Sequence, residues 1–196
     1  MRFEPVPLYW RRKLKILLHN LRVRQPETFI RVKRTGGLFH LTVGGERITI
    51  VSISRWSKYR RGIDVQLQKL AQRYGVLPLR DQLSGQTVID IGANIGEFSL
   101  YCERAGARVF AIEPDPVNYA ALDQNIATTG VAAFRLALWY QAETLTFYSS
   151  VAGADSSLIE PEISSDTLRV NAVALDDFTE QKGIDRIFLI KADAEG

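Results

Sequence analysis

One cysteine and two histidines are all that the 196 residues offer to soft-metal chemistry. Cys102 cannot close an internal disulfide by itself, and with His19 and His40 it makes no cluster at zinc-ligand spacing, so no metal site is expected. No apolar run approaches the ~20 residues that span a bilayer. The N-terminus has no apolar core followed by a small-residue cleavage site, which argues against a secretory leader. A lone thiol is compatible with a reducing compartment, and a cytoplasmic location is expected. Internal repeats and low-complexity tracts are missing too. What is present is a 46% hydrophobic chain with 14 Gly, suited to one globular domain plus an appendage.

Positive charge is unevenly placed. The net charge is +3, yet residues 1–34 hold ten Lys or Arg against Glu4 and Glu27, a balance of +8, and the rest of the chain sums to −5. The cations belong to an arm, so no nucleic-acid partner is expected for the whole domain. Residues 8–24 read as a basic amphipathic helix, with Leu14, Leu17, Leu18 and Leu21 at helical spacing and Trp10 near the start. Such a helix either rests on an anionic membrane or acidic partner, or packs on its own domain and leaves its cations in water. The second reading is favoured here, with peripheral membrane contact through residues 1–34 as the alternative.

The chain is organised around residues 88–99, Val-Ile-Asp-Ile-Gly-Ala-Asn-Ile-Gly-Glu-Phe-Ser. A short buried strand ends with Asp90. A bend follows with Gly92, Ala93, Asn94 and Gly96, and then a helix with Phe98, Tyr101, Cys102 and Ala105 on one face. Cys102 on that face reads as a small buried hydrophobe. Glycine lets a ligand lie against the main chain. A dinucleotide site calls for G-x-G-x-x-G. Here Asn94 stands where the middle glycine would fall, which disfavours a pyrophosphate and favours a smaller nucleoside such as S-adenosylmethionine. The next apolar run, Arg108 to Ile112, ends at Glu113, about twenty residues past the bend, where such folds hold ribose hydroxyls. A carboxylate there can accept from a cis-diol.

The other segments fall into order around this unit. Residues 36–53 predict a hairpin turning at Gly44-Gly45, and residues 62–75 a helix. Asp115 and Pro116 are the expected N-cap and first residue of a helix whose buried face carries Tyr119, Leu122 and Ile126 and which Gly130 ends. Val131 to Leu136 is a third strand. Residues 143–149 and 168–174 alternate like an antiparallel insertion, Asp176 is the expected cap of a short helix, and Ile187 to Ala192 is a fourth core strand. Alternating strands and helices predict an α/β fold with a parallel sheet, its ligand cleft at the strands' C-terminal ends. The fourth strand would be an exposed apolar edge, so the chain is expected to continue past Gly196. Three segments are expected: a basic arm over 1–34, a hairpin and helix extension over 35–84, and a Rossmann-like domain over 85–196.

Together these motifs resemble the FkbM family of S-adenosylmethionine-dependent methyltransferases. The likeness rests on residues 88–99, on Ala-Ile-Glu-Pro-Asp-Pro (111–116) with Asn125, on Ser-Ser-Leu (156–158), on Ala-Leu-Asp-Asp-Phe (174–178), and on Leu-Ile-Lys-Ala-Asp-Ala-Glu-Gly (189–196). Ala192 and Ala194 depart from the larger aliphatics common in the last motif. The resemblance implies a class I methyltransferase sheet, truncated after the fourth core strand, and methyl transfer to an oxygen of a small molecule, sugar or lipid-linked glycan. It implies that Gly92, Ala93, Asn94 and Gly96 cradle the methionine moiety, that Asp90 orients the bend and the ligand's ammonium, that Glu113 holds the ribose, and that Ala137 and Leu138 lie near the adenine. Asp193 is the candidate on the acceptor side, with Glu195 and Lys191 as helpers, while Glu97 reads as a helix-dipole partner. Two rivals stand beside this reading: a nicotinamide-dependent oxidoreductase on a similar sheet, and a methyltransferase-like module kept only for binding.

Overall fold

The computed structural model describes residues 6–23, 28–149 and 166–193. Helix α1 (Val6–Arg22) leads into three antiparallel strands, β1 (Ile30–Thr35), β2 (Leu38–Val43) and β3 (Glu46–Ile50), in the order β1-β2-β3. β2 and β3 turn at Gly44-Gly45 as expected, whereas β1, in which Ile30 and Val32 alternate with Arg31 and Lys33, was not expected. The boundary drawn after residue 34 therefore falls inside a strand. A 3-10 turn over Ile53–Tyr59, helix α2 (Ile63–Arg73) and a second 3-10 turn over Leu77–Gln82 complete the N-terminal part.

Strands β4 (Thr87–Ile91), β5 (Arg108–Ile112), β6 (Ala132–Phe134) and β10 (Leu189–Ala192) form a parallel sheet ordered β10-β4-β5-β6. Helices α3 (Glu97–Arg104) and α4 (Pro116–Ile126) connect β4 to β5 and β5 to β6. A third sheet sets β7 (Ala137–Leu138) parallel to β9 (Asp166–Val173), which pairs antiparallel with β8 (Glu143–Ser149). Short α5 (Leu175–Gln181) precedes β10. The parallel sheet is covered on both faces, as crossover helices require. Val88, Val109 and Ala111 enter one large core shared with α2, α3, α4 and the N-terminal sheet. Their neighbours Ile89, Phe110 and Ile112 face the other way, toward Phe178 of α5. Phe178 meets the rings of Phe110 and Phe134 edge-on, at 6.3 and 5.1 Å. Burying such a ring contributes about 2–3 kcal/mol.

Helix ends differ in detail from the sequence reading. Asp115 caps α4 as expected, accepting from the amides of Val117 and Asn118. The helix ends at Ile126, short of Gly130, and Asn118 and Ala121 join Leu122 and Ile126 on its buried face. Asp176 does not cap α5. Ala174 stands at that position with no side-chain bond, and Asp176 and Asp177 lie in the first turn, where negative charge suits the helix dipole. Helix α3 is buried almost all round, from Glu97 to Cys102, rather than along one face.

Candidate functional site

The bend between β4 and α3 is fixed by its backbone. Ala93 N–H donates to Ile112 O on β5 (2.9 Å), and Gly96 N–H to Ala93 O (2.8 Å). Asn94 is the one described non-glycine residue in the left-handed region (φ 53°), which Asn tolerates better than most. Gly96 (φ +87°) has no such latitude: a Cβ would stand 2.6 Å from Leu122 Cδ1. Glycine is needed there for backbone angle and for the close approach of α4.

Beneath the bend lies a buried charge cluster. Asp90 is fully buried. Ser99 Oγ donates to its Oδ2 (2.6 Å), and Lys191 Nζ lies 3.0 Å from its Oδ1. Burial pushes the Asp90 carboxyl upward in pKa, against the pull of Lys191 and Ser99. Lys191 also donates to Gly92 O (2.8 Å) and Ile91 O (3.2 Å). Asp90 therefore touches the bend through Lys191, and its carboxylate faces these partners rather than open space. Lys191, expected among the acceptor-side helpers, is 7% exposed and occupied here.

Glu113 stands at the end of β5 beside the bend. Its Oε2 accepts from Asn94 N–H (2.7 Å) and its Oε1 from Asp115 N–H (2.9 Å). The residue is 5% exposed. Burial raises its pKa to about 7, although the amides of Asp115 and Asn94 oppose the shift. The Asn118 side chain faces Glu113 and favours its ionised form, while Asn118 Oδ1 is buried with no hydrogen-bond partner.

A second cluster escaped the sequence reading. Arg55 Nη1 donates to Asn94 Oδ1 (2.7 Å) and Nη2 to Glu97 Oε2 (2.9 Å), while Tyr59 OH donates to Glu97 Oε1 (2.7 Å). Glu97 is thus a buried ion-pair member as well as a first-turn acid. Asn125 is another tie. Its Oδ1 accepts from Thr49 N–H (2.6 Å), and its Nδ2 donates to Thr49 O (2.9 Å) and Ile95 O (2.8 Å). The N-terminal sheet and the bend are joined through these side chains. The sequence singled out Asn125 within a motif, but no local signal named its partners.

Asp193 follows β10, its N–H bonded to Ile91 O (3.1 Å). The Tyr74 hydroxyl donates to Asp193 Oδ2. Burial, then the bond to Asp193, raises the Tyr74 pKa well above the usual phenol value, so the hydroxyl stays protonated. Glu195 lies outside the described residues, as does Ser156-Ser157-Leu158. Ala137 and Leu138 form β7, paired with Ala172 and Val173, and Leu138 packs in the cluster around Phe178. A cleft of about 360 Å³ opens beyond Glu113, lined by Pro114, Pro116, Arg135 and residues 168–171. None of the bend residues lines it. Cys102 is buried, its thiol pushed up to about 12 by burial, so it is no nucleophile. No metal-holding group of three or more His, Cys, Asp or Glu occurs among the described residues.

Comparison with known proteins adds an independent line. The family model for the methyltransferase FkbM domain matches residues 90–196. The chain is 39% identical over 87 residues to methyltransferase sdnD of Sordaria araneosa, covering 40% of this chain and 33% of that protein. It is 29% identical over 145 residues to 31-O-demethyl-FK506 methyltransferase FkbM of Streptomyces tacrolimicus, covering 57% of this chain and 56% of the relative. The matches thus span from a third to just over half of these relatives' length. Among solved structures, Pyrococcus horikoshii TYW2 in complex with MeSAdo is 16% identical, with a TM-score of 0.36, over 68% of this chain and 50% of that one. That likeness is too slight to carry an argument. Asp90 at the end of β4, the bend, the acid at the end of β5 and the last motif all lie within the matched span, and by that match the chain belongs to the FkbM methyltransferase domain family.

Proposed function

We propose that this chain binds S-adenosylmethionine at the bend and methylates an oxygen of a small-molecule or sugar acceptor. The observation that carries the reading is the bond from Asn94 N–H to Glu113 Oε2, which sets a carboxylate and a glycine bend side by side at the C-terminal ends of adjacent parallel strands. The residues fit the group. A carboxylate has about four acceptor positions. Two backbone amides use two at Glu113, leaving capacity for ribose hydroxyls. The orphaned Asn118 Oδ1 beside it is a second acceptor. The relative from Streptomyces tacrolimicus, named for a 31-O-demethyl substrate, supports oxygen as the methylated atom.

Glu113 and Asn118 would hold the ribose side. Gly92, Ala93, Asn94 and Gly96 would support the methionine side, with Asp90 and Lys191 fixing the bend from below. When bound, the sulfonium supplies an electrophilic methyl group to an aligned nucleophile. The protein's remaining work is alignment, exclusion of water and removal of a proton from the acceptor. An alcohol does not lose its proton unaided near neutrality, so a base is needed. Asp193 is the proposed base, its carboxylate held by Tyr74, with Glu195 as a second acidic candidate. Lys191 is assigned to the bend rather than to the acceptor.

The test is titration of the protein with labelled S-adenosylmethionine and, separately, with NAD, followed by a mass-shift screen of alcohols and sugars. Tight binding of the methyl donor, weakened in Glu113→Ala, and a gain of one methyl group on an acceptor are expected. Preference for NAD would reinstate the oxidoreductase reading. S-adenosylhomocysteine binding unaffected by Glu113→Ala, with no transfer, would favour the binding-module reading.

A further inference from the structure

Helix α1 docks with the side its sequence pattern did not mark. Tyr9 stacks on Phe39 (6.0 Å), Ile16 is 4% exposed, and His19 lies beside Trp56 (5.7 Å). Asn20 Nδ2 donates to Ile30 O (2.9 Å), and Ile30 N–H donates to Asn20 Oδ1 (3.0 Å). The opposite side carries Trp10, Leu14, Leu17, Leu18 and Leu21, from 44% to 73% exposed. At about 100° per residue, these five share a stripe about 100° wide. Single exposed leucines need no explanation, but four on one stripe with a tryptophan do. Cations border the stripe. Arg11, Lys15 and Arg22 are exposed on one flank, and Lys13 on the other holds its Nζ 5.4 Å above the Trp10 ring. Val6–Arg22 contains no acidic residue.

We propose that α1 is a docking helix for an anionic phospholipid surface. The leucine stripe enters the boundary of the acyl chains, Trp10 sits at headgroup depth, and the flanking cations extend to lipid phosphates. Charge selects this occupant over a second copy of the chain. Two such stripes face to face would press together two cationic rims with no acid to neutralise them. The balance of −5 over the residues past 34 repels the body from the same surface, so contact is confined to the helix. The inference does not depend on the methyl-transfer reading.

The experiment is sedimentation of the full chain with vesicles of phosphatidylcholine, with and without phosphatidylglycerol. Binding to the anionic vesicles is expected. It should weaken about tenfold or more on pure phosphatidylcholine, and to a similar degree in the Leu17→Gln/Leu18→Gln/Leu21→Gln variant. These leucines are exposed, so the variant should keep its melting temperature and circular dichroism. No binding by the wild type overturns the proposal. So does undiminished binding by the leucine variant, which would show non-specific charge attraction, and so does a lipid-free dimer that the leucine variant abolishes.

Discussion

The Arg55 guanidinium stands 2.9 Å from the Glu97 carboxylate, with side chains only 13% and 7% exposed. It binds the 3-10 turn of the N-terminal part to the first turn of α3. Removing one partner of a buried pair leaves the other uncompensated, at about 3–5 kcal/mol. Arg55→Leu should therefore lower stability by that order in urea unfolding. Arg55→Leu/Glu97→Leu should be less destabilised than the sum of the two single changes, and a strictly additive pair would contradict the coupling.

Gly96→Ala should destabilise by about 1–3 kcal/mol from overpacking against Leu122, with left-handed strain in addition. Combining it with Leu122→Ala should recover part of the loss in a double-mutant cycle. Donor binding by Gly96→Ala should fall even where the fold survives, as calorimetric titration would show.

Asn125→Ala removes three bonds that join Thr49 and Ile95 to α4. Each buried group left unpaired costs about 1–3 kcal/mol, so a large loss in thermal stability is expected. Asn125→Asp should be worse than a neutral shape match suggests, because its oxygens would face the carbonyls of Thr49 and Ile95.

Glu113 gives a pH signature. Its folded pKa is raised to about 7 from 4.5, so the native state binds more protons than the unfolded chain between these values. Stability contributed by this group is thus lost as pH rises from about 4.5 through 7. Glu113→Gln should flatten that segment of the stability curve. If hydroxyls of a ligand donate to the ionised form, affinity for S-adenosylhomocysteine should increase with pH up to about 7 and level off above it. Binding near pH 6 should release protons, which titration in buffers of different ionisation enthalpy would detect.

The strand, bend, helix and next strand were legible because each is set by residues close in sequence: β-branched runs, a glycine needing φ +87°, a Pro after an Asp cap. Glu113 was legible because its distance from the bend follows from one strand-helix-strand unit. Arg55 and Tyr59 were not, since their partners lie 42 and 38 residues away and neither sits in a pattern. Lys191 was seen as a charged residue near the cleft, but its burial beneath Gly92 depends on which strand β10 joins. In α1 the leucine period was plain. Which side packs was decided by Tyr9, Ile16 and Asn20, and their fit to Phe39 and Ile30 is a tertiary fact.

The side chain of Asn125 has a consequence for anyone shortening this protein. It grips the main chain of β3 with one hand and the bend with the other, so the half that carries the family match should lose stability when expressed without the N-terminal part. Trimmed at residue 90, it would leave Asn125 and Glu97 facing water where Thr49, Arg55 and Tyr59 now meet them. An exchanged N-terminal segment should be accepted only when it supplies Arg55 and Tyr59 to Glu97 and the β3 main chain to Asn125.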